Sequence, residues 1–197
     1  TITMNGSISQ KSNKSLAAEG NLIYLSKPLG AGYLLAAYFQ NSKLLSVSDF
    51  EKLLKHLKTG NDLAAKSGFS CGSQLMTDIS GFGLASHLGD ICQSSNLSAQ
   101  IQLNNDILIN DKLEILKNFE SSGYKNNYLS SFTSVDIKDN HPFFKIIFDP
   151  QTNGPLLISI DKEKKNEFEN NFEKNYLLKP LLIGEFIKKK EKLIYFE

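Results

Sequence analysis

Met76-Thr77-Asp78-Ile79-Ser80-Gly81-Phe82-Gly83-Leu84 gathers one carboxylate, two hydroxyls and two glycines into residues 77–83. Just upstream lies the short uncharged stretch 69–76, and downstream Leu84, Leu88 and Ile91 recur at helical spacing, so the segment reads as a strand-to-helix turn. The first four N–H groups of a helix lack intrahelical partners and carry partial positive charge, and glycines permit close approach. Such a turn is a candidate phosphate seat, with Thr77, Ser80, Gly81 and Gly83 as its contacts. Asp78 adds a hard oxygen of the kind that holds magnesium on a nucleotide, one or two carboxylates acting with phosphate oxygens and water. Asp and Ser are also the ordinary residues of helix caps and turns, so this stretch alone leaves a purely structural reading open. A second polar, glycine-bearing loop, Asp149-Pro150-Gln151-Thr152-Asn153-Gly154-Pro155-Leu156-Leu157, runs into an apolar strand about seventy residues further on. It adds Thr152 and Gly154 to the candidate contacts.

The 197 residues suffice for one full core, or one domain with a lead-in piece, and fall short of two comfortable domains. Hydrophobic residues make up 41% and charged ones 22%, ordinary for a globular protein. Lys+Arg of 22 against Asp+Glu of 21 leaves a net charge of +1, so no global field draws the chain to nucleic acid or to a membrane. Cys71 and Cys92 have neither metal spacing nor the makings of a disulfide framework, which suits a reducing compartment. No run is long enough to span a bilayer, and the first residues lack the pattern of a signal peptide, so a cytoplasmic location is the default expectation. Thr1 opens the chain inside an alternating stretch, 1–8, with no initiator methionine. The expectation is a piece of a longer chain, whose upstream part would carry half of any active site.

Residues 1–20 read as a possible strand followed by a connector. Leu22-Ile23-Tyr24-Leu25 is a buried strand that ends at Lys27-Pro28-Leu29-Gly30, and 31–40 is apolar enough for a largely buried helix. Lys27 could reach a phosphate, although an exposed surface lysine is the commoner arrangement. Between 46 and 67, Val47, Phe50, Leu53, Leu54, Leu57, Leu63 and Ala64 form an amphipathic pattern that Gly60 kinks or divides, with His56 on the solvated face. His87 falls one turn after Gly83, within reach of a bound phosphate or, more ordinarily, hydrogen-bonded to neighbouring structure. Residues 98–103 alternate as a half-buried strand, 107–119 follow a pattern closer to helix, and 120–140 look least ordered. The stretch 143–148 fits strand or helix, 156–160 is a buried strand, and 161–176 is a charged helix turning Phe168, Phe172 and Tyr176 inward. Residues 181–187 and 192–196 suggest a closing hairpin. The expected class is α+β, a mixed, largely antiparallel sheet with helices packed on one face.

Lys27-Pro28-Leu29-Gly30-x-Gly32, Thr77-Asp78-Ile79-Ser80-Gly81-Phe82-Gly83-Leu84-x-x-His87-Leu88 and Asp149-Pro150-Gln151-Thr152-x-Gly154 stand here in one order and spacing. Together they resemble the C-terminal half of selenophosphate synthetase (selenide, water dikinase), from about Gly6 to the C-terminus. Aminoimidazole ribonucleotide synthetase, thiamine-monophosphate kinase and a hydrogenase maturation factor share the same superfamily plan. The resemblance implies that 1–20 end a missing N-terminal domain and 21–197 form the C-terminal domain. It further implies an ATP-dependent conversion of selenide and water to selenophosphate, AMP and phosphate, with Mg2+ as cofactor and Asp78 as a metal ligand. The nucleotide would lie between the missing N-terminal domain and this one, and the catalytic cysteine or selenocysteine and essential lysine belong to that missing half. No catalytic residue is therefore expected here, the fragment alone is expected to be inactive, and no dimer is inferred. The chain departs from the pattern at Asn153, at Pro155, which lacks an N–H, and at Asn126 before Asn127, where the family has arginine before asparagine. These departures keep two alternatives in view: a diverged binding or structural module, and another ATP-using enzyme of the superfamily.

Overall fold

The computed structural model describes residues 11–40, 42–110, 118–176 and 178–197. The possible strand at 1–8 and the apolar positions Leu113, Ile115 and Leu116 lie outside them. Seven strands form one sheet: β1 (Leu22–Leu25), β2 (Met76–Asp78), β3 (Leu97–Ile101), β4 (Val135–Asp136), β5 (Leu156–Ile160), β6 (Leu181–Lys188) and β7 (Ile194–Phe196). Their order is β2-β5-β1-β6-β3-β7-β4. Pairing is antiparallel except where β7 joins β3 and β4. The mixed, largely antiparallel sheet is thus observed. The expected closing hairpin is not: β3 lies between β6 and β7, pairing with each.

Six helices accompany the sheet among the described residues: α1 (Ala31–Gln40), α2 (Val47–Lys58), α3 (Asp62–Ser70), α4 (Gly83–Ser95), α5 (Tyr124–Ser131) and α6 (Lys165–Tyr176). They cover both faces of the sheet rather than one. Side chains alternate along a strand, and in β1 Ile23 and Leu25 enter one apolar cluster while Leu22 and Tyr24 enter another. The first cluster takes Leu34 and Ala37 of α1 and Leu84, Leu88 and Ile91 of α4. The second takes Ala64 of α3 and the inward row of α6, Phe168, Phe172 and Tyr176. Each of those phenylalanines, fully buried, contributes about 1.5–3 kcal/mol relative to exposure.

The interval between α2 and α3 falls at Gly60, where the sequence divides its amphipathic run. A capping box starts α2: the Ser46 hydroxyl accepts from the Asp49 N–H while the Asp49 carboxylate accepts from the Ser46 N–H. The buried face of α2 nevertheless holds Asp49, Leu53 and His56, and Val47 is exposed. The stretch 120–140 is more regular than its composition suggests. Tyr124, Tyr128 and Phe132 recur every fourth residue, and Tyr128 packs against Phe132, Phe144 and Phe148 at ring distances of 4.7, 6.0 and 5.3 Å. Residues 143–148 are neither strand nor helix but successive turns, with Ile146 N–H on Phe143 O and Phe148 N–H on Lys145 O.

Candidate functional site

Strand register brings the sequence motifs together. β5 lies between β1 and β2, antiparallel to both, with Leu25 opposite Leu157 and Asp78 opposite Leu156. The start of β5 therefore meets the ends of β1 and β2. The loop 149–155 before β5, the turn 77–83 after β2 and the segment 27–32 after β1 converge at one edge of the sheet. Further hydrogen bonds join them: Ile79 N–H donates to Pro155 O at 2.8 Å, and Gln151 N–H to Ser80 O at 3.0 Å. Gly154 is required at this seam, since a Cβ there would stand 2.0 Å from Ile79 O. Gly83, at φ +74°, packs against the backbone of 147–149, where a Cβ would come within 3.0 Å of the Phe148 carbonyl carbon.

The two motif loops treat their neighbouring helices differently. At α1, the Gln151 carboxamide oxygen accepts from Gly30 and Ala31 N–H at 2.9 and 3.2 Å. The Asp149 carboxylate accepts from Tyr33 N–H at 3.2 Å and from Gly32 N–H. Those bonds occupy the amides that open the helix. Asp149 is only 2% exposed, and burial pushes its pKa up to about 7 against the opposing pull of the N–H groups it accepts from.

At α4 the turn 80–83 faces outward. Ser80 O accepts from Gly83 N–H at 3.1 Å as well as from Gln151, and Gly81 O accepts from the Asn127 side chain at 2.9 Å. In a trans peptide the N–H points opposite to the C=O, and no peptide here is cis. With the Ser80 and Gly81 carbonyls turned inward, the N–H groups of Gly81 and Phe82 point away from the core. Both residues are exposed, the Phe82 ring to 68%. Other amides of this helix entry are engaged: Ser80 N–H with His87 Nε2 at 3.3 Å and Ala85 N–H with Ile147 O at 2.8 Å. Among the described amides of this helix entry, those of Gly81 and Phe82 are the ones set on the exposed turn.

Asp78 is exposed at the end of β2. Its carboxylate lies close enough to His87 to act on it: burial and then Lys14 lower the His87 pKa, while Asp78 and Asp90 pull it upward. His87 is buried and hydrogen-bonded to the turn, the more ordinary of its two expected arrangements. Thr152 is exposed, and with Gly81, Pro150, Gly123 and Phe39 it lines a groove of about 460 Å³ beside the turn. Among the described residues no group of three His, Cys, Asp or Glu side chains could enclose a metal. Asp78 fits the commoner magnesium arrangement, in which one or two carboxylates act with the ligand's phosphates.

Lys27 departs from both expectations. Its side chain is 2% exposed, and Nζ donates to Thr59 O at 2.6 Å and His56 O at 3.3 Å, at the C-terminal end of α2. Carbonyls left over at a helix C-terminus carry partial negative charge and attract a cation. Burial lowers the Lys27 pKa to about 8. His56, expected in solvent, is buried beside it; burial and then the Lys27 charge bring its pKa down to about 3. Asn153 also serves this end of α2. It adopts the left-handed region at φ +45°, which asparagine tolerates, and donates to Leu57 O and Thr59 O. The roles of Asp149, Gln151, Asn127 and Asn153 were not evident from sequence, because each acts on a distant backbone. The motif resemblance marked these positions and their loops are polar and turn-forming, but neither signal named the backbone groups they bind.

Residues 18–196 match the family described as AIR synthase related protein, C-terminal domain. A selenide, water dikinase from Shewanella sp. (strain MR-7) is 33% identical over 77% of this chain and 42% of its own length. The enzyme of that name from Treponema denticola is 29% identical over 98% of this chain and 56% of its own. The chain therefore spans about half the length of these relatives. Thiamine-monophosphate kinase from Stenotrophomonas maltophilia K279a superposes with a TM-score of 0.63 at 16% identity, covering 96% of this chain and 54% of that one. Hydrogenase maturation protein HypE in complex with ATP gives 0.55 at 15%, covering 90% and 45%. These structures share the fold. The chain belongs to the family of AIR synthase related C-terminal domains, and the two relatives named above are selenide, water dikinases.

Proposed function

We propose that this chain forms the C-terminal domain of a selenide, water dikinase and supplies one wall of its ATP site. The supporting observation is the convergence of three motifs at the start of β5, which leaves Asp78 and the outward amides of Gly81 and Phe82 on one surface. Phosphoryl transfer depends on positioning and charge neutralisation more than on covalent work by the protein. Asp78 would hold Mg2+, which shields the triphosphate charge when bound. The two amides would donate to phosphate oxygens, and the Thr77, Ser80 and Thr152 hydroxyls would border them. Gly83 and Gly154 would serve by letting the backbones approach. Lys27 would brace α2 rather than touch phosphate.

The remaining half of the site, including the group that meets selenide, is assigned to an N-terminal domain, with residues up to 20 as the connector. The domain alone would then be inactive. Among the described residues no helix is long and apolar enough to cross a membrane. A cytoplasmic setting belongs to the same proposal. Phosphorus NMR of the complete protein with ATP, Mg2+ and selenide tests it. Selenophosphate and AMP should appear with the native sequence and not with Asp78→Ala. ATP left intact by the folded native protein would instead favour a diverged binding module.

A further inference from the structure

Asn127 is 5% exposed, yet its side-chain amide makes two long-range contacts. Nδ2 donates to Gly81 O at 2.9 Å and to Phe148 O at 3.0 Å. The first acceptor lies inside the turn that enters α4. The second immediately precedes Asp149, the residue that closes α1. One buried carboxamide thus links the exposed turn to the loop beside it.

The contact at Gly81 controls direction. Phe82 sits at φ −90°, ψ −5°, the third position of a type I turn, with Ser80 O accepting from Gly83 N–H. Rotating the 81–82 peptide by half a turn would give a type II turn, which needs a positive φ at Phe82, unfavourable for a bulky residue. It would also carry Gly81 O away from Asn127 and leave a buried donor unmatched. Both effects hold the Phe82 N–H outward. Gly81 itself offers little restraint, since a Cβ there would meet nothing within 4 Å.

We propose that Asn127 is a positioning residue, which acts through the Gly81 carbonyl to keep the Phe82 N–H directed at the phosphate of a magnesium-bound nucleotide. This rests on the reading of Asp78 and the turn as a nucleotide phosphate site. It adds a residue of α5 that need not touch the ligand, and it explains why a polar side chain is buried between two backbone carbonyls.

The test uses the complete protein and a non-hydrolysable ATP analogue with Mg2+. Four variants are compared with the native sequence: Asn127→Ala, the isosteric Asn127→Asp, Ser131→Ala and Asp78→Ala. Ser131 donates to the Asn127 backbone carbonyl at 2.7 Å, so its replacement disturbs α5 without touching the turn. Both Asn127 variants should weaken analogue binding by roughly 10- to 100-fold, the range seen for outer-shell partners of metal sites. Without ligand or metal, the Phe82 amide NMR resonance should broaden as its peptide samples both orientations. Ser131→Ala should change neither. Native-like binding and a sharp Phe82 resonance in the Asn127 variants, with binding lost in Asp78→Ala, would overturn the inference while leaving the site reading intact. Native-like binding in Asp78→Ala would remove the site reading itself. Should Asn127→Ala fail to fold, Asn127→Asp carries the comparison.

Discussion

Two helices begin beside the same loop, and they begin differently. The entry to α1 is sealed by Asp149 and Gln151, whose side chains occupy its opening amides in the interior. The entry to α4 is sealed only on its inner side, leaving the Gly81 and Phe82 peptides turned toward solvent. A helix N-terminus is therefore a site only where the rest of the fold leaves it open. Here the buried carboxylate holds the architecture, and the exposed one, Asp78, is the one proposed to meet a ligand.

Replacing the two aspartates separates these roles most sharply. Asp149→Ala strips the buried Tyr33 and Gly32 N–H groups of their acceptor, at about 1–3 kcal/mol each, so a loss of about 2–6 kcal/mol is expected in thermal or denaturant unfolding. Asp78→Ala, at an exposed strand end, should stay within about 0.5 kcal/mol while abolishing turnover. Equal destabilisation by the two would erase the distinction between sealed and open entries.

The glycines give a somewhat smaller contrast. Gly154→Ala forces a methyl against the Ile79 carbonyl and should cost about 1–3 kcal/mol, whereas Gly81→Ala meets open space and should be close to neutral in the same assay. A near-neutral Gly154→Ala would mean that the seam between the two motifs is looser than its contacts indicate. Lys27→Met should remove about 1 kcal/mol through lost contacts at the end of α2, with the Michaelis constant for ATP unchanged. A large rise in that constant would return Lys27 to the phosphate site.

Stability as a function of pH sharpens the comparison further. The folded pKa of Asp149, about 7, lies above its unfolded value of about 3.9. Its contribution is fully present below about pH 4 and is lost as pH rises through 7; Asp149→Asn should flatten that decline. His56 works in the opposite sense, with a folded pKa of about 3 below an unfolded value of about 6.5. Its contribution is present above pH 6.5 and lost as pH falls toward 3, a slope that His56→Gln should reduce. Chemical denaturation across pH 4–8 resolves the two variants.

Much of the local structure was legible from residue pattern. The strand at 22–25, the helix at 31–40 and the inward row Phe168, Phe172 and Tyr176 follow from apolar runs and spacing, and all are present. The failures share a physical origin in contacts that sequence neighbours cannot report. Segments 181–187 and 192–196 do not pair with each other because β3 lies between them. Lys27 and His56 are buried because the end of α2 needs a cation and because loop 149–155 folds over it. The helix at 124–131 escaped notice because its inward side is made of the polar Asn127 and Ser131 with the half-buried Tyr124 and Tyr128, and not of aliphatic residues. The individual site motifs were visible, but their meeting depends on two antiparallel registers on either side of β5. That also explains why Asn127 could be read only as part of a loop.

The most direct measurement is amide NMR of the complete protein during titration with the non-hydrolysable ATP analogue and Mg2+, following both helix entries together. The account predicts progressive shifts at Gly81 and Phe82, with Ala31, Gly32 and Tyr33 scarcely moved. Large shifts at the α1 amides, with the turn before α4 unchanged, would contradict it.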